Sequence, residues 1–200
     1  GDARKPLVRS RYVAKEIVFK RNHDFFAATP PLEALRMLIS KVASGRSSAV
    51  GGRKILVIDA RKAHLHAMAE RDMFIALPHE VHRPGMCARL RRSLYGTRDA
   101  PALWEAFLTK ELKNMGFVPG RASTCCLRHS TRDMSCVVHG DDFVFEGADP
   151  HLTWVQEEMA RRFLIKIVGK LGGGPDDCRE VRILNRVLRW TDQGIWYEVD

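Results

Sequence analysis

An α+β fold built on a central antiparallel sheet is predicted by three observations. The first is Lys54–Ala60, KILVIDA, a continuous apolar run. Bounded by turn residues, such a run reads as a strand covered on both faces and therefore central. The second is Ser135–Gly147, SCVVHGDDFVFEG, which reads as apolar strand, tight turn, apolar strand. A turn that short makes the two strands antiparallel neighbours. The third is the order of elements: strands, helix, strand, helix, hairpin, helix, hairpin.

Residues 1–21 carry seven Lys/Arg against Asp2 and Glu16, and the stretch RYVAKEIVFK alternates. The alternation predicts a strand pair with a cationic face, serving either a polyanion or simply a solvated edge. Thr29-Pro30-Pro31 is a helix-start signal. Leu32, Leu35, Leu38, Ile39 and Val42 recur at helical spacing, which predicts a helix to about Ser44 with those residues in the core. Gly45–Gly52 reads as a loop. After the apolar strand, Arg61–Ala69 can form a helical turn or two. Met73–Leu77 and Ala88–Leu90 read as short strands joined around Pro84-Gly85.

Asp99 or Ala100 caps the next helix, Pro101 sits in its first turn and Gly116 closes it. Leu103, Phe107, Leu108, Leu112 and Met115 form its apolar stripe. Arg121–Arg132 shows no clear pattern. Asp149-Pro150 starts a further helix with Leu152, Val155, Met159 and Phe163 inward. Lys166–Val168 reads as a strand and Leu171–Asp177 as a glycine-rich loop. Val181–Trp190 and Ile195–Val199 read as a last hairpin around Asp192–Gly194.

A chain of 200 residues, 45% of them hydrophobic, can bury one real core. The net charge of +9 favours a polyanionic partner such as nucleic acid without requiring one. Five cysteines make an odd count without framework spacing, which points to a reducing compartment. His79, His82 and Cys87 lie close together, but they lack the pair spacing and fourth ligand of a zinc site. The apolar runs are far too short to span a bilayer. No charged-then-apolar leader opens the sequence. The expectation is an intracellular protein, cytoplasmic or nuclear, not secreted and without a membrane partner.

The chemistry concentrates in aspartates. Asp141 and Asp142 are adjacent in the hairpin turn, behind Gly140. Asp and Gly are ordinary turn residues, and a solvated turn would need no more. Asp59, however, stands at the mouth of the buried strand, where a carboxylate is costly unless paired or coordinated. If that strand lies beside the hairpin, three carboxylates converge at one sheet end. Such a cluster suits a pair of Mg²⁺ ions roughly 3.5–4 Å apart, and phosphoryl transfer asks little of protein beyond positioning and countercharge.

At these residues the chain resembles the reverse transcriptases of copia-type long-terminal-repeat retrotransposons. DARKAHLHA (Asp59–Ala67) is similar to the family's D-V-x-x-A-F-L-x-G. ERDMFIALP (Glu70–Pro78) resembles E-x-x-V-Y-M-x-x-P, and SLYGTRDAPALW (Ser93–Trp104) resembles S-L-Y-G-L-K-Q-A-P-x-x-W. HGDD (His139–Asp142) stands for Y-V-D-D, and RSRYVAKE (Arg9–Glu16) for K-A-R-L-V-A-K-G. Phe26 and Arg36 fit the family's F-x-P…I-R region. The matches run in the family's order.

The resemblance implies a right-hand polymerase: fingers over about 1–53 and 70–100, palm over about 54–69 and 101–200, with no thumb or ribonuclease H in these residues. It implies RNA-directed DNA synthesis, in which a primer 3′-hydroxyl attacks the α-phosphate of a deoxynucleotide and pyrophosphate leaves. Asp59, Asp141 and Asp142 would be catalytic and hold two Mg²⁺ ions, with Mn²⁺ as a substitute. Arg11 and Lys15 would meet the triphosphate of the nucleotide. Tyr95 and Gly96 would line its pocket. His64 stands where the family has the aromatic gate that excludes a ribose 2′-hydroxyl. Arg98, Leu184, Asn185 and Arg186 would touch nucleic acid, the last three at the primer grip.

Expected partners are an RNA or DNA template-primer, deoxynucleoside triphosphates and the rest of a Pol polyprotein, including integrase and ribonuclease H. Departures from the pattern are His64 at the gate, His139-Gly140 in place of Tyr-Val, and Asp99 in place of a Gln. The hairpin change would loosen the turn, and Asp99 would add negative charge near the nucleotide. The competing reading is a decayed or co-opted domain that binds nucleic acid without polymerising. A phospho-acceptor signalling domain also uses strand-end aspartates, but its acidic pair belongs on an early strand among alternating βα units.

Overall fold

The computed structural model describes residues 12–17, 27–45 and 52–199. Most of the amino-terminal cationic segment, Arg11 included, lies outside the described residues, as does Phe26. In chain order the elements are α1 (Leu32–Ser44), β1 (Arg53–Ala60), a 3₁₀ turn (Ala63–His66), β2 (Phe74–Ala76), a second 3₁₀ turn (His79–Val81), β3 (Cys87–Arg89) and α2 (Ala100–Asn114). There follow β4 (Val118–Pro119), β5 (Cys126–His129), β6 (Met134–His139), β7 (Asp142–Ala148), α3 (Asp149–Arg162), β8 (Ile165–Leu171), β9 (Glu180–Ile183), β10 (Arg186–Trp190) and β11 (Ile195–Val199).

The chain divides into two compact units. The larger holds the described residues 27–45, 52–63 and 105–199. Its centre is a six-stranded antiparallel sheet in the order β4-β5-β6-β7-β1-β8. β1 lies between β7 and β8, as its unbroken apolar run predicts, and Ile55, Leu56, Val57 and Ile58 are all buried. Side chains alternate between faces. Ile55, Val57, Val137 and Val144 pack with Leu35, Leu38, Ile39 and Val42 of α1 and with Val181, Ile183 and Leu188 of β9 and β10. The other face carries Phe143 and Phe145, stacked at 6.1 Å, with Phe163 after α3 and Phe117 after α2 against them. Burying one such side chain is worth roughly 1.5–3 kcal/mol.

The described residues 27–45 and 52–53 belong to this larger unit. The apolar stripe of α1 packs on strands β1, β6 and β7. Leu32, expected in the core, is 55% exposed in the first turn of α1. The last hairpin is a three-stranded meander, β11-β10-β9. A two-residue turn, Leu184-Asn185, splits the expected strand Val181–Trp190. Both residues have positive φ, 50° and 57°, the backbone that a type I′ hairpin turn demands. Asn185 tolerates that backbone, but Leu184 beside it is not a turn residue, so the signal is weak. β5 forms within the unreadable stretch, and β8 extends the expected Lys166–Val168 at both ends.

The smaller unit holds the described residues 12–17 and 64–104. β2 and β3 pair antiparallel, Phe74 opposite Arg89. Residues 12–17 form no strand. The Ala14 amide donates to the Tyr95 carbonyl at 2.7 Å.

Candidate active site

The β1–β7 register places Asp59 directly opposite Asp142. In the neighbouring pairs Asp142 faces His139 on β6, and Asp59 faces Lys166 on β8. Four strands therefore present a row, His139–Asp142–Asp59–Lys166, at one end of the sheet. Asp141 sits in the turn beside the row, and its carbonyl accepts the Ala60 amide at 2.7 Å, tying the turn to the end of β1. Gly140 takes the first central turn position at φ 63°, as a type II′ turn requires. Its added Cβ would meet nothing within 4 Å, so backbone conformation alone selects glycine there. His139-Gly140 therefore suits the hairpin and does not loosen it.

Asp142 and Asp59 are half-buried and Asp141 is exposed. Burial pushes the Asp142 carboxyl up to about 6, and the negative charges of Asp141 and Asp59 push in the same direction, against a smaller opposing pull from His139. Among the described residues, no Lys or Arg forms an ion pair with Asp59, Asp141 or Asp142. Lys166 lies opposite Asp59 without reaching it.

The donor set suits a hard divalent cation, and the mutual repulsion is what a cation would relieve. As they stand, no three His, Cys, Asp or Glu side chains among the described residues are arranged to enclose an ion. That includes His79, His82 and Cys87. A one-sided set of carboxylates still fits Mg²⁺, which commonly takes one or two carboxylates and completes its shell with water and substrate phosphates.

The other expected residues fall into separate places. In the smaller unit the His64 ring tilts against Tyr95 with centroids 4.4 Å apart. Gly96 has φ 90°, and a Cβ on it would come 1.9 Å from the Ala14 carbonyl oxygen, so the residue must be glycine for residues 12–17 to lie where they do. Lys15 is exposed on that segment. The Arg98 amide donates to Glu16 at 2.8 Å. In the larger unit Leu184, Asn185 and Arg186 make the β9–β10 turn, with the Arg186 guanidinium 5.9 Å from the Tyr197 ring centroid.

Two groups escaped the sequence reading. Asp99, expected as a stray negative charge, is buried and accepts Arg71 Nε at 2.7 Å. That guanidinium holds its carboxyl below the ordinary aspartate value. Glu146, in the middle of β7, is fully buried between Lys41 (2.7 Å) and Arg53 (2.5 Å). The signal for it was a carboxylate inside an apolar strand, which must find cations. Its partners, far away in sequence, carried no signal.

The sheet, its helices and an acidic pair matched across two neighbouring strands define an α+β fold with an acidic end to its central antiparallel sheet. A family model described as reverse transcriptase (RNA-dependent DNA polymerase) matches residues 2–173, and the chain belongs to that family. It is 28% identical over 115 residues to the retrovirus-related Pol polyprotein from transposon RE1 of Arabidopsis thaliana, covering 54% of this chain and 8% of that protein. It is 22% identical over 179 residues to the retrovirus-related Pol polyprotein from transposon TNT 1-94 of Nicotiana tabacum, covering 84% of this chain and 13% of that one. The chain thus spans a small part of the curated relatives it matches. Among solved structures, apo telomerase from Candida tropicalis, truncated from its C-terminal domain, superposes with a TM-score of 0.51 at 10% identity, over 86% of this chain and 41% of that one. At that identity the likeness speaks for the fold. The copia-type resemblance and the expected fold class are both borne out. No helix among the described residues is long and apolar enough to cross a membrane.

Proposed function

We propose that this chain is the fingers–palm part of an RNA-directed DNA polymerase that extends a primer 3′-hydroxyl with deoxynucleoside triphosphates. The observation that carries the reading is Asp59 standing opposite Asp142, with Asp141 in the adjoining turn and, among the described residues, no Lys or Arg in an ion pair with any of the three. Asp59 and Asp141 are the main metal ligands and Asp142 a third acid. Two Mg²⁺ ions, or Mn²⁺ in their place, supply countercharge for the primer oxygen and the triphosphate.

The chain's own residues bind and orient. Arg11 and Lys15 take the triphosphate charge. Tyr95 and Gly96 line the nucleotide pocket, and His64, held against Tyr95, meets the sugar. Leu184, Asn185 and Arg186 contact the primer, and Arg98 the nucleic acid. The partners are an RNA or DNA template-primer and the remainder of a Pol polyprotein with its integrase and ribonuclease H.

Primer extension on an RNA template with Mg²⁺ tests the proposal. Extension should depend on the divalent ion and fall by about 10³-fold or more in Asp141→Asn, since a lost ligand costs several kcal/mol of barrier. Salt-sensitive template binding by the wild type without extension would instead identify a nucleic-acid-binding domain that no longer polymerises.

A further inference from the structure

Residues 13–17 alternate between exposed and half-buried side chains. The even-numbered residues are fastened to the smaller unit. The Tyr12 hydroxyl donates to the Ala76 carbonyl at 2.8 Å. The Ala14 amide donates to Tyr95, and Gly96 lets that carbonyl neighbour lie close. Glu16 takes the Arg71 guanidinium through both carboxylate oxygens at 3.0 and 3.1 Å, and also accepts the Arg98 amide. The odd-numbered residues, Val13, Lys15 and Ile17, face solvent.

Arg71 joins two parts of the chain. Its Nη atoms hold Glu16 in a fork, and its Nε holds Asp99, at the start of α2 and 3% exposed. A planar guanidinium with one acid on its fork and another on Nε has little rotational freedom left. Both acids are held below their ordinary values, first of all by the hydrogen bond from Arg71. At neutral pH the cluster is therefore charged throughout.

We infer that Glu16, Arg71 and Asp99 form a latch that fixes residues 12–17 against the 95–99 loop and so sets the position of Lys15 for an incoming triphosphate. The inference rests on the polymerase reading for the identity of the ligand. The three are positioning residues, since none needs to touch the nucleotide. The latch also explains why an acid is tolerated where the resemblance expects a Gln: Asp99 spends its charge on Arg71.

The test compares Glu16→Gln, Asp99→Asn and the double variant with wild type, using Asp72→Asn as a control. Asp72 pairs with Arg89 at the surface of the same unit, 70% exposed. Two readouts are taken. Hydrogen exchange at the Ala14 amide reports the latch without any chemistry. The KM for deoxynucleotide, set beside kcat, reports its consequence. Each single variant should speed Ala14 exchange and raise KM about tenfold, with kcat within about twofold. The double variant should do little more than either single, as expected for residues acting through one shared partner. Lys15→Ala should raise KM to a similar degree and leave Ala14 protected.

Unchanged Ala14 exchange in both single variants would overturn the latch. Faster exchange with KM unmoved, or a loss confined to kcat, would overturn its role in placing Lys15. Should the wild type fail to extend primers, the polymerase reading fails by itself. Ala14 exchange and tripolyphosphate affinity would still judge the latch, and equal affinity in wild type and variants would refute it.

Discussion

Removing one charge from the aspartate row should make the metal-free protein more stable. The Asp142 carboxyl stands at about 6 against an ordinary value of 3.8. At about 1.36 kcal/mol per pH unit, that displacement is a ceiling of about 3 kcal/mol against folding with Asp142 ionised. The group is half-buried, and solvent screening brings the expected cost down to about 1–2 kcal/mol. Asp142→Asn keeps the shape and drops the charge, so with chelator at about pH 7.5 its melting temperature should rise by roughly 2–8 °C for a domain of this size. The pH dependence has a definite sign. The folded value lies above the unfolded one, so the penalty is complete above about pH 6 and disappears as pH falls towards 3.8. The advantage of the variant should therefore shrink across that window. On the proposed metal site, a few millimolar Mg²⁺ should raise the wild-type melting temperature and raise the variant's less, since an ion held through these oxygens would favour the folded state. The reasoning is refuted if Asp142→Asn melts at or below wild type in chelator, or if its advantage is the same at about pH 7.5 and about pH 4.5.

Other expectations follow from the same structure. Glu146→Gln should cost about 3–5 kcal/mol in urea denaturation, because Lys41 and Arg53 lose the buried carboxylate between them. His129 lies edge-on to Phe117 and Trp154, and burial, then the charge of Arg132, holds its imidazole below the ordinary 6.5. Its contribution is complete above about pH 6.5 and is lost as pH falls through the depressed value, so His129→Gln should flatten the stability profile below about pH 6.5. His64→Phe should improve rejection of ribonucleotides in primer extension about tenfold or more, and an unchanged ratio would remove His64 from the sugar site. Gly140→Val should cost about 1 kcal/mol of stability through its φ of 63° alone.

The larger unit was legible where one local pattern decided the outcome. Helical spacing gave α1 and α3, the uniformly apolar KILVIDA gave the central strand, and Gly-Asp between apolar runs gave the β6–β7 hairpin. The placement of Asp59 beside that hairpin followed from the family resemblance as much as from spacing, since no local rule pairs residues that far apart. What stayed hidden had non-local or unsignalled causes. Leu184 takes a positive-φ turn position that Gly or Asn usually serves, so Asn185 alone was too weak a signal for the β9–β10 reversal. β5 alternates Cys, Leu, Arg and His, too mixed a pattern to separate from loop. Residues 12–17 alternate like a strand but, among the described residues, are held by side chains and the Ala14 amide hydrogen bond instead of a ladder. The Arg71–Asp99 and Glu146 pairings depend on tertiary approach, and nothing in a linear sequence specifies it.

The two ends of the β1–β7 pair treat acids in opposite ways, and the contrast supports the functional reading. At one end Glu146 is sealed from solvent, and two cations, Lys41 and Arg53, close on it from α1 and the start of β1. Asp133 joins the same group through Arg53 at 2.6 Å. At the other end, four residues along β7, Asp142 faces Asp59, and among the described residues no Lys or Arg forms an ion pair with either. Scarcity of cations is not the reason, because the chain has 33 Lys and Arg against 24 Asp and Glu. Lys166 even stands in register with Asp59, yet makes no ion pair with it. A fold that neutralises a carboxylate so fully at one end of a strand pair, and leaves two in repulsion at the other, carries at the second end a cost that packing does not require. That cost is the one a bound divalent cation would remove.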